Sequence, residues 1–191
     1  MPKSVITGAS GAGKSTLIAA LAADGYATVP EAGRQIVTEQ MAKHGTALPW
    51  VDQAAFMDLL FASSIAAFDR TPGTAAGLTF FDRSFVEAIA YGTVIGRPAP
   101  HAMLEAAQER RFDNPVFVCP PWPEIFTQDN ERQHDFAFAR KDYEANIAAY
   151  TGAGYVLVEV PRTSVSKRVA FIQRQLGDLS GPQPSNPAGN R

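Results

Sequence analysis

The string Gly8-Ala9-Ser10-Gly11-Ala12-Gly13-Lys14-Ser15 constrains this chain more than any other feature. A β-branched run, Val5-Ile6-Thr7, leads into it, and Leu17, Ile18 and Leu21 follow at helical spacing, so the segment reads as strand, glycine-rich turn and helix. Glycine, four residues, Gly-Lys and then Ser or Thr puts each component where a bound anion needs it. The glycines let the backbone turn back and aim amide hydrogens inward, and the helix that follows starts with its positive dipole end at the same point. Lys14 adds a mobile charge able to span the β- and γ-phosphates, and the Ser15 hydroxyl can take one position on magnesium. Gly8, Ser10, Gly11, Ala12, Gly13, Lys14, Ser15 and Thr16 are therefore the expected contacts for ATP, or GTP, with Mg2+.

The rest of the pattern extends this unit into an α/β domain. Short strands are expected at about 3–7, 26–29, 78–81, 116–119 and 155–160. Helices are expected at about 14–23, 31–44, 49–70, 101–111, 135–150 and 164–176, with one more starting at Ser84. Leu78 to Phe81 is a continuous apolar run, as in strands buried on both faces of a parallel sheet. Ser84 through Glu87 has a capping-box pattern, and Gly45 is placed to close the second helix. Five strands alternating with helices predict a three-layer fold with a mostly parallel sheet over residues 1–176. The Gly-, Pro-, Ser- and Asn-rich residues 177–191 are expected to be a disordered tail.

Composition excludes several classes. A net charge of −2 carries no electrostatic footprint for nucleic acid, so an anionic ligand must be met by local positive charge. No apolar stretch approaches the ~20 residues of a membrane span. The one cysteine, Cys119, lies in an apolar run, which suits a core side chain in a reducing compartment; with no leader-like start, the expected location is cytoplasmic. Asn-Lys-x-Asp, the guanine-selecting motif of regulatory GTPases, occurs nowhere.

Asp82 stands at the end of the third strand, where it can reach magnesium directly or through water, or can cap the next helix. Arg83 follows it, where ATP-hydrolysing machines often carry a water-orienting glutamate. Glu31, after the second strand, can serve as a base toward an acceptor hydroxyl, or simply favour the first turn of a helix through the macrodipole. Arg34, three residues on, shares its helical face and can grip an anionic part of an acceptor.

The phosphate loop, Pro30-Glu31-Ala32-Gly33-Arg34, Phe81-Asp82-Arg83-Ser84, Asn130-Glu131-Arg132 and Val160-Pro161 together resemble the small bacterial AAA-type ATPase and kinase-like P-loop domain family, to which the nicotinamide riboside kinase domain is similar. Asp82-Arg83-Ser84 is also similar to a strand end of nucleoside and nucleotide kinases. The resemblance runs to about Leu176 and implies the kinase-type strand order 2-3-1-4-5. It also implies an acceptor site after the second strand, near Glu31, Arg34 and Arg83, and a lid before the fifth whose arginines, Arg132 and Arg140, close over the phosphates. The implied activity is ATP- and magnesium-dependent phosphoryl transfer to a small molecule, a nucleoside or nucleoside monophosphate, with Glu31 or Asp82 as base. A nucleotide-dependent switch or slow NTPase acting on a protein partner is the alternative.

Overall fold

The computed structural model describes residues 2–71, 77–127 and 135–180. Five parallel strands, β1 (Lys3–Gly8), β2 (Ala27–Val29), β3 (Thr79–Asp82), β4 (Val116–Cys119) and β5 (Leu157–Glu159), form one sheet in the order β2-β3-β1-β4-β5. This is the P-loop kinase order. β1 sits at the centre, and its register pairs Ile6 with Asp82 on one side and Gly8 with Cys119 on the other. Val29 pairs with Phe81, so β2 ends beside the end of β3. The carboxyl ends of four strands thus converge on the turn after Gly8, which is where open parallel sheets hold their ligands.

Neighbouring residues in each strand face opposite layers, which is why the inner strands β3 and β4 are buried at every position. Ile6, Phe80 and Phe117 pack with Leu17 and Leu21 of α1 (Lys14–Ala23) and Ile172 of α7 (Val165–Ser180). Val5, Phe81 and Val116 face the other way, against Phe85 of α4 (Phe85–Val94) and Tyr150 of α6 (Phe136–Gly152). There Phe68 of α3 (Gln53–Arg70), Phe81, Phe85 and Phe112 form a cluster of edge-on and stacked rings. A third cluster, including Ile36 and Val37 of α2 (Ala32–Ala42), Phe56, Met57 and Tyr91, supports one wall of the cleft described below.

Several boundaries differ from those the sequence suggests. α2 stops at Ala42, and the reversal falls on His44, in the left-handed region at φ 53°, while the Gly45 N–H bonds back to the Gln40 carbonyl at 2.8 Å. α3 starts at Gln53 rather than near residue 49, because Asp52 accepts from the Ala55 N–H at 2.9 Å and so provides the cap. α5 (His101–Gln108) is three residues shorter than expected, and a 3-10 turn at Pro123–Ile125 was not anticipated. The expected tail loses four residues to α7, which runs through Gly177 to Ser180. One glycine costs a helix about 1 kcal/mol, too little to end it. Residues 181–191 lie outside the described residues. Among the described residues, no helix is long and apolar enough to cross a membrane.

Candidate functional site

The phosphate loop is locked to the sheet. Gly8, at φ 132°, lies so close to β4 that a Cβ there would overlap the Cys119 carbonyl, and the Ala9 N–H donates to that same carbonyl at 3.0 Å. Gly13 caps α1 from the left-handed region at φ 72°, with no side chain to obstruct the turn. Ser15 and Thr16 are exposed on the first turn of α1, while Lys14 is buried. The Lys14 ammonium donates to the Gly8 and Ala9 carbonyls at 3.2 and 2.9 Å. Burial, with Arg83 adding to it, lowers the Lys14 pKa below the usual lysine range; Asp82 and Glu31 pull the other way. The ammonium is thus held on weak neutral acceptors that a phosphate can replace.

Asp82 ends β3 beside this loop. The cap of α4 belongs to Ser84, whose hydroxyl accepts from the Val86 N–H at 3.2 Å, so helix capping does not account for Asp82. Its Oδ1 is buried without a hydrogen-bond partner. Burial raises the carboxyl's pKa and Glu31 adds to the rise, against the pull of Lys14 and Arg83. A buried carboxylate oxygen lacking a donor is of the type that suits a hard cation, and the exposed Ser15 hydroxyl is the other group expected to take part.

Arg83 is the second non-glycine residue in the left-handed region, at φ 67°. Such a conformation costs of order 1–3 kcal/mol and persists only where surroundings over-determine it. Here they do: the Arg83 N–H donates to the Ile6 carbonyl at 3.1 Å, and the guanidinium meets three carboxylates. Nε lies 3.1 Å from Glu31, Nη1 donates to Glu87, and Asp142 stands 3.8 Å away. Nε has no geometrically acceptable hydrogen bond, so its approach to Glu31 is a charge contact off the N–H axis. Burial opposes the Arg83 charge, but Glu87, Glu31 and Asp142 together outweigh it and hold its pKa well above the usual value.

Glu87 was missed as a site residue because the capping-box pattern assigns it to the helix terminus. Its side chain turns inward instead. Thr7 Oγ1 donates to it at 2.6 Å and the Tyr150 hydroxyl at 3.3 Å, while that hydroxyl also lies 2.7 Å from Ser84 Oγ. The signal was available: Glu87 is the one charge in Phe85-Val86-Glu87-Ala88-Ile89-Ala90, on a helix packed into the core. Burial raises its pKa, against Arg83 and the Thr7 hydrogen bond.

Beside these groups opens a cavity of about 470 Å³. Glu31, Asp82, Arg83 and Asp142 form its charged side; Phe56 and Tyr91 form its apolar side, with Gln53 and Arg34 also lining it. Burial pushes the Tyr91 hydroxyl up to about 12. α6 presents Phe138 and Asp142, one turn apart, to this cleft. Arg140, halfway between them, is on the opposite face, exposed and 3.6 Å from Glu144 of its own helix. In this arrangement Arg140 is a solvated i,i+4 partner of Glu144 and is not brought together with the phosphate loop. Arg132 lies outside the described residues. Arg168 of α7 was also missed, and it reaches the back of the phosphate loop.

No curated protein matches the chain. Among solved structures, a deoxyadenosine kinase from M. mycoides with the products dCMP and a flexible dCDP bound matches at 15% identity and TM-score 0.63, over 92% of this chain and 99% of that one. Thymidylate kinase from Ehrlichia chaffeensis matches at 14% identity and TM-score 0.58, over 92% and 100%. These likenesses establish the P-loop nucleoside and nucleotide kinase fold. The AAA-domain family model matches residues 3–168, a span holding the whole of the loop, Asp82, Arg83 and the cleft, and the chain belongs to that family.

Proposed function

We propose that the chain transfers a phosphoryl group from ATP, with magnesium, to a hydroxyl of a small acceptor seated in the cleft, an acceptor of the nucleoside or nucleoside monophosphate class. The observation carrying this reading is the juxtaposition at one sheet edge of a phosphate loop, an unpartnered buried Asp82 oxygen, and Glu31 held against Arg83. The metal, held by Ser15 and Asp82, would neutralise charge on the β- and γ-phosphates. Lys14 leaves the Gly8 and Ala9 carbonyls for the phosphates. Glu31 accepts the acceptor's hydroxyl proton as the acceptor oxygen bonds to the γ-phosphorus and the bond to the β-phosphate oxygen breaks, releasing ADP. Arg83 fixes the direction of the Glu31 carboxylate.

Two arguments favour a nucleoside over its monophosphate. An alcohol needs a base to become a good nucleophile, whereas a phosphate monoester, with a second pKa of about 6, is already ionised at neutral pH. Arg83 is also already compensated by Glu31, Glu87 and Asp142, so its charge is engaged by carboxylates rather than held open for an acceptor's phosphate.

The test is ADP release from ATP and magnesium against matched nucleosides and monophosphates, with Lys14→Ala as control. One nucleoside raising turnover well above background, with the control inactive, supports the reading. Bound nucleotide with turnover indifferent to every acceptor would sink it.

A further inference from the structure

Arg168 carries a charge that no carboxylate among the described residues balances. It is 2% exposed on α7, and it reaches under the phosphate loop from the side away from the cleft. Nη1 donates to the Gly13 carbonyl at 3.1 Å, and Nη2 donates to the Ala12 carbonyl at 3.2 Å and to Cys119 Sγ at 2.9 Å. The Trp122 ring lies 5.8 Å away. Nε has no hydrogen-bond partner, and among the described residues no carboxylate pairs with the guanidinium. A buried cation satisfied only by neutral groups is costly. Its counter-charge should therefore come from something the protein binds.

The two carbonyls say where that counter-charge sits. The peptide groups Ala12–Gly13 and Gly13–Lys14 are trans, so each carbonyl directed at Arg168 sets its own N–H in the opposite direction, into the concave face of the loop. A cation on the carbonyl oxygen also polarises the peptide and strengthens its N–H as a donor. The Gly13 carbonyl serves the Leu17 N–H as well, at 3.2 Å, so the contact continues into the first turn of α1. A Cβ at Gly13 would meet Arg168 Nη1 at 2.8 Å, so a side chain there would push the guanidinium out of this position.

We propose that Arg168 is a positioning residue for the nucleotide's β-phosphate. It acts through the Ala12–Gly13 and Gly13–Lys14 peptide groups and adds its charge beneath the anion, while touching neither nucleotide nor acceptor. The inference rests on the loop being a phosphate site and goes beyond the proposed reaction, because it would hold for any chemistry at the γ-phosphate.

Displacement of a fluorescently tagged ADP by ADP and by AMP, measured on the full chain, tests it. For Arg168→Met, ADP should bind about ten- to hundredfold more weakly, the size of one or two charge-assisted hydrogen bonds, and AMP within about twofold of the parent. Arg168→Lys, which keeps the charge but not the two-pronged contact, should recover part of the loss. A merely structural role would lower the melting temperature without changing the ratio of ADP to AMP affinity. If the Met variant does not fold, the Lys variant decides alone: an ADP-to-AMP ratio equal to the parent's overturns the proposal. The parent protein and Lys14→Ala separate the two readings. Should the parent show no preference for ADP, the phosphate site itself fails and the proposal with it; a parental preference lost in Lys14→Ala but kept in both Arg168 variants overturns the Arg168 role alone.

Discussion

The loop after β1 and the neighbouring cleft meet at Asp82, yet they are built in opposite ways. The loop is eight consecutive residues between one strand and one helix, and its main anchor is a backbone contact to Cys119. The cleft draws on β3, the end of β2, and helices α2, α3, α4 and α6, and three carboxylates from separate elements, Glu31, Glu87 and Asp142, meet on a single guanidinium. A site made of consecutive backbone is specified by local conformation, so one side chain can be its weak point. A site assembled from distant elements is specified by mutual satisfaction of buried charges, and its functions are shared among several groups.

The sharpest way to break the comparison is Lys14→Ala. Turnover should fall about 10²–10³-fold or more, as when a positioned charge or donor is removed from a transferring group, while calorimetric acceptor binding in the cleft stays within about twofold. An equal loss of acceptor binding would show the two regions to be one unit. Next is Glu31→Gln, for which kcat should drop about 10²–10⁴-fold with the KM for ATP unchanged. A matched fall in ATP affinity would place Glu31 in the donor site instead.

Asp82→Asn sharpens the boundary between the regions by separating stability from activity. Because burial raises the folded carboxyl's pKa, the native state holds that proton more tightly than the unfolded state. Ligand-free stability attributable to Asp82 is therefore greatest below the ordinary carboxylate pKa, and it declines as pH rises from there through the raised value. At neutral pH the Asn variant should lose metal-dependent activity yet melt higher than the parent by roughly 2–4 °C, the shift made by about 1 kcal/mol in a domain this size. Lower melting would show that the ionised carboxylate is structurally required. The smallest effect is expected of Arg140→Ala: less than about twofold on kcat or either KM, since its partner is an exposed neighbour on its own helix. A larger loss would bring the outer face of α6 into the site.

The sequence by itself determined whatever depends on neighbours in the chain. The loop's glycines, Lys14 and the helix start are legible because turn geometry, charge and dipole all act within a few residues. The α/β class is legible in the strands' apolar runs, since a parallel strand covered on both faces shows its environment in its composition. Even Glu31, Asp82 and Arg83 were visible, through their positions at strand ends.

Only the tertiary structure decided which of these side chains face one another. Glu87 and Asp142 sit in different helices far apart in sequence, and nothing local announces that both reach Arg83. Arg168 lies 155 positions from the Gly13 carbonyl it meets, and Arg140 shares a segment with cleft residues but turns away from them. The reason is physical: side-chain direction on a helix is set by packing of the whole element, and a buried charge is tolerated only where remote groups arrive to compensate it.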